Sequence, residues 1–163
     1  MMEQAIYKGL IAFVKQYTNI EQNNIRQGFQ NRTGLSQGDF CLITLLNSEG
    51  NMRPITDLKT GEITEHSELL TALLQFDFYG TNSFESISKI KTLLFDDVGC
   101  EFLKNYGIQP IEVGNIINHT GDTKINEQYC KRYSVDVKVN YYNDVSLTEA
   151  RFDNVLLITK RVN

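Results

Sequence analysis

The sequence predicts an α+β fold: a mixed, mainly antiparallel β-sheet with an N-terminal helix and a central helix pair packed on one face, plus a protruding β-hairpin. Apolar residues recur at three- and four-residue steps in residues 3–17 and again in 84–106, the period of an amphipathic helix. Residues 66–79 and 129–142 instead alternate apolar with polar, the period of a strand with one wet face. The order of elements is helix, strands, helix pair, strands, which suits helices segregated to one face of a sheet.

The first helix is predicted over residues 3–17, with Ile6, Leu10, Phe13, Val14 and Tyr17 inward and Lys8, Lys15 and Gln16 outward. It stops before Thr18 and Asn19. A polar stretch rich in Asn, Gln and Gly follows, and residues 34–38 read as a loop. Residues 39–46, apolar on both faces, predict a buried strand. The segment 47–66 exceeds an ordinary turn. Ile55-Thr56 and Ile63-Thr64 bracket Lys59-Thr60-Gly61, which is the signature of the protruding hairpin.

The strand at 66–79 places Leu70, Ala72, Leu74, Phe76 and Phe78 on one face. Asn82 and Glu85 have capping-box spacing and open a helix whose stripe is Phe84, Ile87, Ile90 or Lys91, and Leu94. Asp96-Asp97 cap a second helix over 98–106 with Phe102, Leu103 and Tyr106 inward. Gly107 ends it and Pro110 acts as a stop signal. Strands are expected at 111–117, at 129–142 and, last, at 155–158.

The chain has 163 residues, 41% of them apolar and 22% charged, which is globular composition for one domain over 1–163. Its formal charge is -4, and the sixteen basic residues are scattered among twenty acidic ones. Phosphate-gripping proteins carry a basic face, so tight DNA or RNA binding is disfavoured. Cys41, Cys100 and Cys130 are odd in number and form no CxxC pair, which points to three reduced thiols packed as small hydrophobes. No stretch has the length of a membrane span and no leader pattern opens the chain, so synthesis and residence in the cytoplasm are expected. Asn31 and Asn118 then sit in chance sequons.

Chemistry is thin. Ser86-Ile-Ser-Lys89 has SxxK spacing and Lys59-Thr60-Gly61 supplies a KTG, as in penicillin-recognising serine enzymes. The two occur in the wrong order, no SDN accompanies them, and the chain is too short for that architecture. A helix surface and a hairpin turn explain both. His66 and His119 pair by spacing with neither each other nor a cysteine, so no metal site is expected. Asp57, Glu62, Glu65 and Glu68 cluster around the hairpin, where solvated charge discourages edge pairing. No GxGxxG or Walker sequence is present, so no cofactor or catalytic residue is assigned. Candidate interface residues are Arg26, Phe29, Arg32, Tyr79 and Tyr142, of types that anchor interfaces, and Asp57, Lys59 and Glu62 on the projecting hairpin, which with the long wet strand at 129–142 could extend a sheet across a subunit boundary. Incidental packing at strand ends explains the aromatic ones equally well.

In order along the chain, these features resemble the neck or tail-terminator proteins of tailed bacteriophages and prophages. The residues that carry the resemblance are the N-terminal helix, Arg26-Gln-Gly-Phe-Gln-Asn-Arg32 leading into the 40–46 strand, and Leu70-Thr-Ala-Leu-Leu-Gln-Phe-Asp-Phe-Tyr-Gly80. It continues through the helix pair closed by Asn105-Tyr-Gly-Ile108, then Glu112-Val-Gly114, and ends in residues 127–139. The tryptophan common in that last part is absent, with Tyr129 nearby. The resemblance implies a structural virion protein and not an enzyme. It would be a homo-oligomer, a hexameric ring between the head-side connector and the tail tube, assembled in the host cytoplasm, through which DNA passes without specific binding. Other tail-completion or baseplate subunits, and a small ligand-binding or hydrolytic domain using Ser86 and Lys89, are the alternatives.

Overall fold

The computed structural model describes residues 2–29, 38–50, 55–58, 63–122, 124–125 and 128–148. The elements are α1 (Met2–Tyr17), β1 (Ile25–Gln27), β2 (Phe40–Gly50), β3 (Ile55–Leu58), β4 (Ile63–Tyr79), α2 (Ser83–Leu93), α3 (Asp97–Lys104), β5 (Ile108–Val113), β6 (Ile117–Asn118), β7 (Lys124–Ile125), β8 (Gln128–Tyr129) and β9 (Arg132–Thr148). The main sheet runs β1-β2-β4-β9-β5, with β3 also on β4 and β6 on β9; β7 and β8 form a separate ribbon. All pairs are antiparallel except β1 with β2. The α+β class read from periodicity holds.

One face of the sheet carries the core. Cys41 and Ile43 of β2, Ala72, Leu74, Phe76 and Phe78 of β4, and Val135, Val137 and Val139 of β9 are all buried. Register puts them in rows, with Ile43 beside Phe76 and Phe76 beside Val135. Period-two residues on neighbouring strands therefore pool their apolar area against the helices. From α1 come Ile6, Leu10, Phe13 and Val14, from α2 Ile87 and Ile90, and from α3 Leu103. The Tyr7 hydroxyl accepts a 2.9 Å bond from the Leu45 amide, where a bulge beside Leu46 interrupts the β2–β4 register. That bond fastens α1 to the sheet.

Several local expectations are corrected. Asn82 is the N-cap residue of α2, but its side chain makes no capping bond; its Nδ2 donates to Asp39 Oδ2 at 2.7 Å. The same carboxylate accepts from the Asn82 amide, so Asn82 spends its polar atoms on the turn rather than on the helix. Asp96 likewise holds the N-cap position of α3 without a side-chain capping bond. Pro110 follows the end of α3 as expected but also lies inside β5, which opens at Ile108 rather than 111, on an edge where a missing N–H is tolerated. The strand expected at 111–117 is two pieces, β5 and β6. The long strand begins at Arg132 rather than 129 and runs to Thr148. Residues 47–50 extend β2, and 63–65 extend β4. Within the hairpin region β3 pairs with β4, Ile55 beside Ser67 and Leu58 beside Thr64. The predicted loop at 34–38, apart from Gly38, the turn at 59–62 and the strand at 155–158 lie outside the described residues.

Gly107 follows α3 at a φ of 69°, the left-handed residue expected after a helix end. Gly80 is the more demanding glycine. Its φ is 101°, and a Cβ there would lie 2.8 Å from the Asp39 backbone. Gly80→Ala is expected to destabilise the fold by about 2 kcal/mol, the cost of a left-handed alanine plus the displaced turn. Chemical denaturation checks this; a loss under about 0.5 kcal/mol would mean the turn relaxes freely.

Candidate functional site

Beyond the core, the sheet continues. On β9 Tyr141 is buried, and after it Tyr142, Asp144 and Val145 are exposed. Leu46 and residues 47–50 on β2 are exposed as well. Seventeen residues of β4 pair with seventeen of β9 without a register shift, from Ile63 beside Thr148 to Tyr79 beside Arg132. Such strands span roughly 55 Å at about 3.3 Å per residue. Their distal part is thus an arm of β3, β4 and β9. A Ser67–Asp144 hydrogen bond ties its strands together, and Ser48 and the Tyr141 hydroxyl, 2.8 Å apart, join strands at its base. The sequence signal was present: Val145 and Leu147 continue the alternation through Tyr141, but the polar residues between them led to a boundary at 142.

At the base of the arm a groove of about 790 Å³ runs between α3, β5 and β9. Cys100, Glu101 and Lys104 form one wall; Ile108, Pro110, Leu69 and Tyr142 form the other. Its volume is that of a ligand site, but it is an open trough rather than an enclosed cleft.

The opposite end of the sheet, on the face away from the helices, holds a compact polar cluster. Tyr79 stacks on Phe40 with ring centroids 4.3 Å apart and planes at 6°, and the Arg132 guanidinium lies 5.5 Å from the Tyr79 centroid. Arg132 binds Asp77 through Nη2 at 3.0 Å and Nε at 3.1 Å, both to Oδ1. Burial pushes the Asp77 carboxyl above its ordinary pKa, and Arg132 pulls it partway back. Burial, then the Asp77 charge, raises the Tyr79 phenol. The Cys41 thiol is pushed well up, mainly by burial, which makes it a core filler and not a nucleophile.

The predicted interface residues divide accordingly. Tyr79 is half-buried in the polar cluster, and Arg26, half-buried beside Leu42 on β1, donates from Nε to the Asn23 carbonyl at 3.0 Å. Phe29 is 91% exposed and holds a φ of 58°. A bulky residue in the left-handed region is strained. Tyr142, 60% exposed, stands at the groove far from these three. Asp57 lies on β3 in the arm. Arg32, Lys59 and Glu62 lie outside the described residues. The five described candidates are therefore not gathered into one patch. Sequence patterning missed Phe95 and Val98, exposed at the α2–α3 junction. Phe84, placed in the inward stripe, is 56% exposed and meets Tyr133 with ring centroids 5.2 Å apart.

Ser86 and Lys89 both line a depression of about 130 Å³ shared with Tyr17, Asp39 and Asn82. That is smaller than the pockets that hold metabolites. The KTG at 59–61 lies outside the described residues. Among the described residues no three metal-capable side chains converge, and no helix is long and apolar enough to cross a membrane.

Comparison with known proteins completes the picture. No curated protein matches the sequence. Among solved structures, a sheath/tube terminator of an extracellular contractile injection system (PVC, extended state) aligns with 10% identity and a TM-score of 0.41. The alignment covers 98% of this chain and 63% of that one. Residues 4–161 match the family described as phage neck terminator protein, and the chain belongs to that family.

Proposed function

We propose that this chain is the repeating subunit of a ring, a hexamer, that caps the tail tube of a phage or prophage and joins it to the head-side connector. Membership of the neck terminator family over residues 4–161 is the observation that carries the reading. A structural role as a tail terminator in the virion follows from the family itself; the ring, its partners and assembly in the host cytoplasm are the proposal. A ring requires two different patches on each subunit whose repeated contact closes. The arm and the opposite end of the sheet supply separated surfaces of that kind. The net charge of -4 favours a lumen that lets DNA pass without gripping its phosphates.

Light scattering on the purified protein, alone and with the tail-tube protein of the same phage, tests this. The expected result is a species at a multiple of 18.7 kDa and tubes whose growth stops when the protein is added. A monomer at millimolar concentration that leaves tube length unchanged would sink it. Phe29→Gly separates assembly from folding. It is expected to stabilise the monomer by about 1 kcal/mol by relieving the left-handed phenylalanine, while weakening assembly at least tenfold.

A further inference from the structure

Among the described residues the arm has one edge without a strand on each side. β5 and β6 occupy the outer side of β9 only between Tyr133 and Tyr141. From Tyr142 to Thr148, β9 has β4 on one side and no strand on the other among the described residues. β3 and β9 both pair with residues 64–67 of β4, so they must lie on opposite sides of it. The far side of β3 is likewise without a strand among the described residues.

The direction of the backbone groups can be assigned. The carbonyls of Arg132 and Asp136 accept from His119 and Gly114, at 2.8 and 2.7 Å, on the side away from β4. The Lys131 carbonyl accepts from Gly80 at 3.0 Å, on the β4 side. Because β9 follows β4 with no register shift, the alternation carries along the strand. Tyr142, Asp144, Ser146 and Thr148 therefore turn their N–H and C=O outward, while Asn143, Val145 and Leu147 spend theirs on β4.

Proteins protect edges meant to stay single with charged side chains, lysine above all, with proline or with bulges, and β3 carries one such charge, Asp57. The β5 edge has such devices: Pro110 and a register break beside Ile111. The distal edge of β9, Tyr-Asn-Asp-Val-Ser-Leu-Thr, has no proline, no lysine and no bulge, and its one charge, Asp144, is bonded to Ser67.

We infer that the distal edge of β9 takes up β3 of a second copy of this chain, forming an intersubunit sheet. Both strands run antiparallel to β4 and so parallel to each other, and the new pair is parallel. The contact uses a different edge on each partner, which makes it head-to-tail and able to close. Repeated around a ring, three strands per copy form one sheet with no free edge. A β9–β9 contact between two copies would instead be twofold and would leave β3 open. This pairing rests on the ring proposed above and specifies its interface.

Amide-resolved hydrogen exchange below and above the assembly concentration tests it. The amides of Tyr142, Asp144 and Ser146 are expected to slow on the order of 100-fold on assembly, with alternate amides in β3 slowing alongside. Asn143 and Val145 should be protected in both states. Ser146→Pro removes an outward N–H and should raise the assembly concentration at least tenfold while the monomer stays folded. Assembly with unchanged exchange at these amides, or with an unimpaired Ser146→Pro variant, overturns the edge pairing and leaves the ring intact. Protection on β9 without protection on β3 overturns the choice of strand. Full protection of Tyr142, Asp144 and Ser146 already in the monomer means the chain covers its own edge and also overturns it. Failure to assemble at any concentration removes both this inference and the ring.

Discussion

Phe13→Ala is expected to destabilise the protein by about 4 kcal/mol, a large share of the stability of an ordinary domain. Phe13 is fully buried on α1, with its ring 5.0 Å from Tyr17 and 5.8 Å from Phe102 of α3. It also faces Gly99, where an added Cβ would come within 3.2 Å of the Phe13 ring. Gly99 itself packs so tightly on the Leu93 backbone that α2 and α3 cannot slide in to refill the space. Truncation therefore loses both the transfer free energy of the ring and the contacts around an unrelaxed cavity. Urea unfolding should show a lower midpoint with an unchanged slope. Phe84→Ala, at a ring 56% exposed, should cost under about 1 kcal/mol in the same assay. Equal losses at the two positions would mean that α1 and α3 do not form a packed layer.

Removing the Arg132 side chain should cost about 3 kcal/mol at pH 7, because it strands a buried carboxylate. The Asp77 side chain is 6% exposed and Arg132 29%, so solvent screens the pair poorly. The pH dependence follows from the direction of the shift. Asp77 has a raised pKa in the folded protein, so the fold holds that proton more tightly than the unfolded chain does. Its contribution is fully present below the ordinary carboxylate value near 3.8 and is lost as pH rises through the folded value. Arg132 lowers that folded value, so Arg132→Ala raises it further and widens the window of loss. The variant should thus be close to the parent at pH 3.5 and fall behind it progressively toward neutrality. Asp77→Asn combined with Arg132→Ala should abolish the widening. Denaturation at a series of pH values reads all three, and a penalty independent of pH would show that Arg132 acts by packing on Tyr79 alone.

The helices and the central strands were legible because burial leaves a periodic trace. The stripe of Ile6, Leu10, Phe13 and Val14 and the alternation of Leu70, Ala72, Leu74, Phe76 and Phe78 are each produced by one apolar partner lying on one side. Caps were less legible. Asn82 has the right identity and position, but Asp39, forty-three residues away in sequence, takes its side chain. The stop read at Gly107 and Pro110 holds, since α3 ends at Lys104; local pattern missed that β5 already opens at Ile108, because on an edge strand the missing N–H of proline is harmless.

For the candidate surface the same division holds. Side-chain type singled out Phe29 and Tyr142 as exposed aromatics, and both are. It could not tell Tyr79 from them, because the Phe40 and Arg132 that enclose it are distant in the chain. Local pattern alone settled the class of fold and the core faces of α1 and β4, since each depends on neighbours within a turn or a strand, while Phe84 and Tyr106, read as inward, are exposed. Which strands became edges, and which of those edges carries no protection, was decided when β4 paired with β3 on one side and β9 on the other. Pairing partners are chosen by long-range burial and register, and neither is written in a local window.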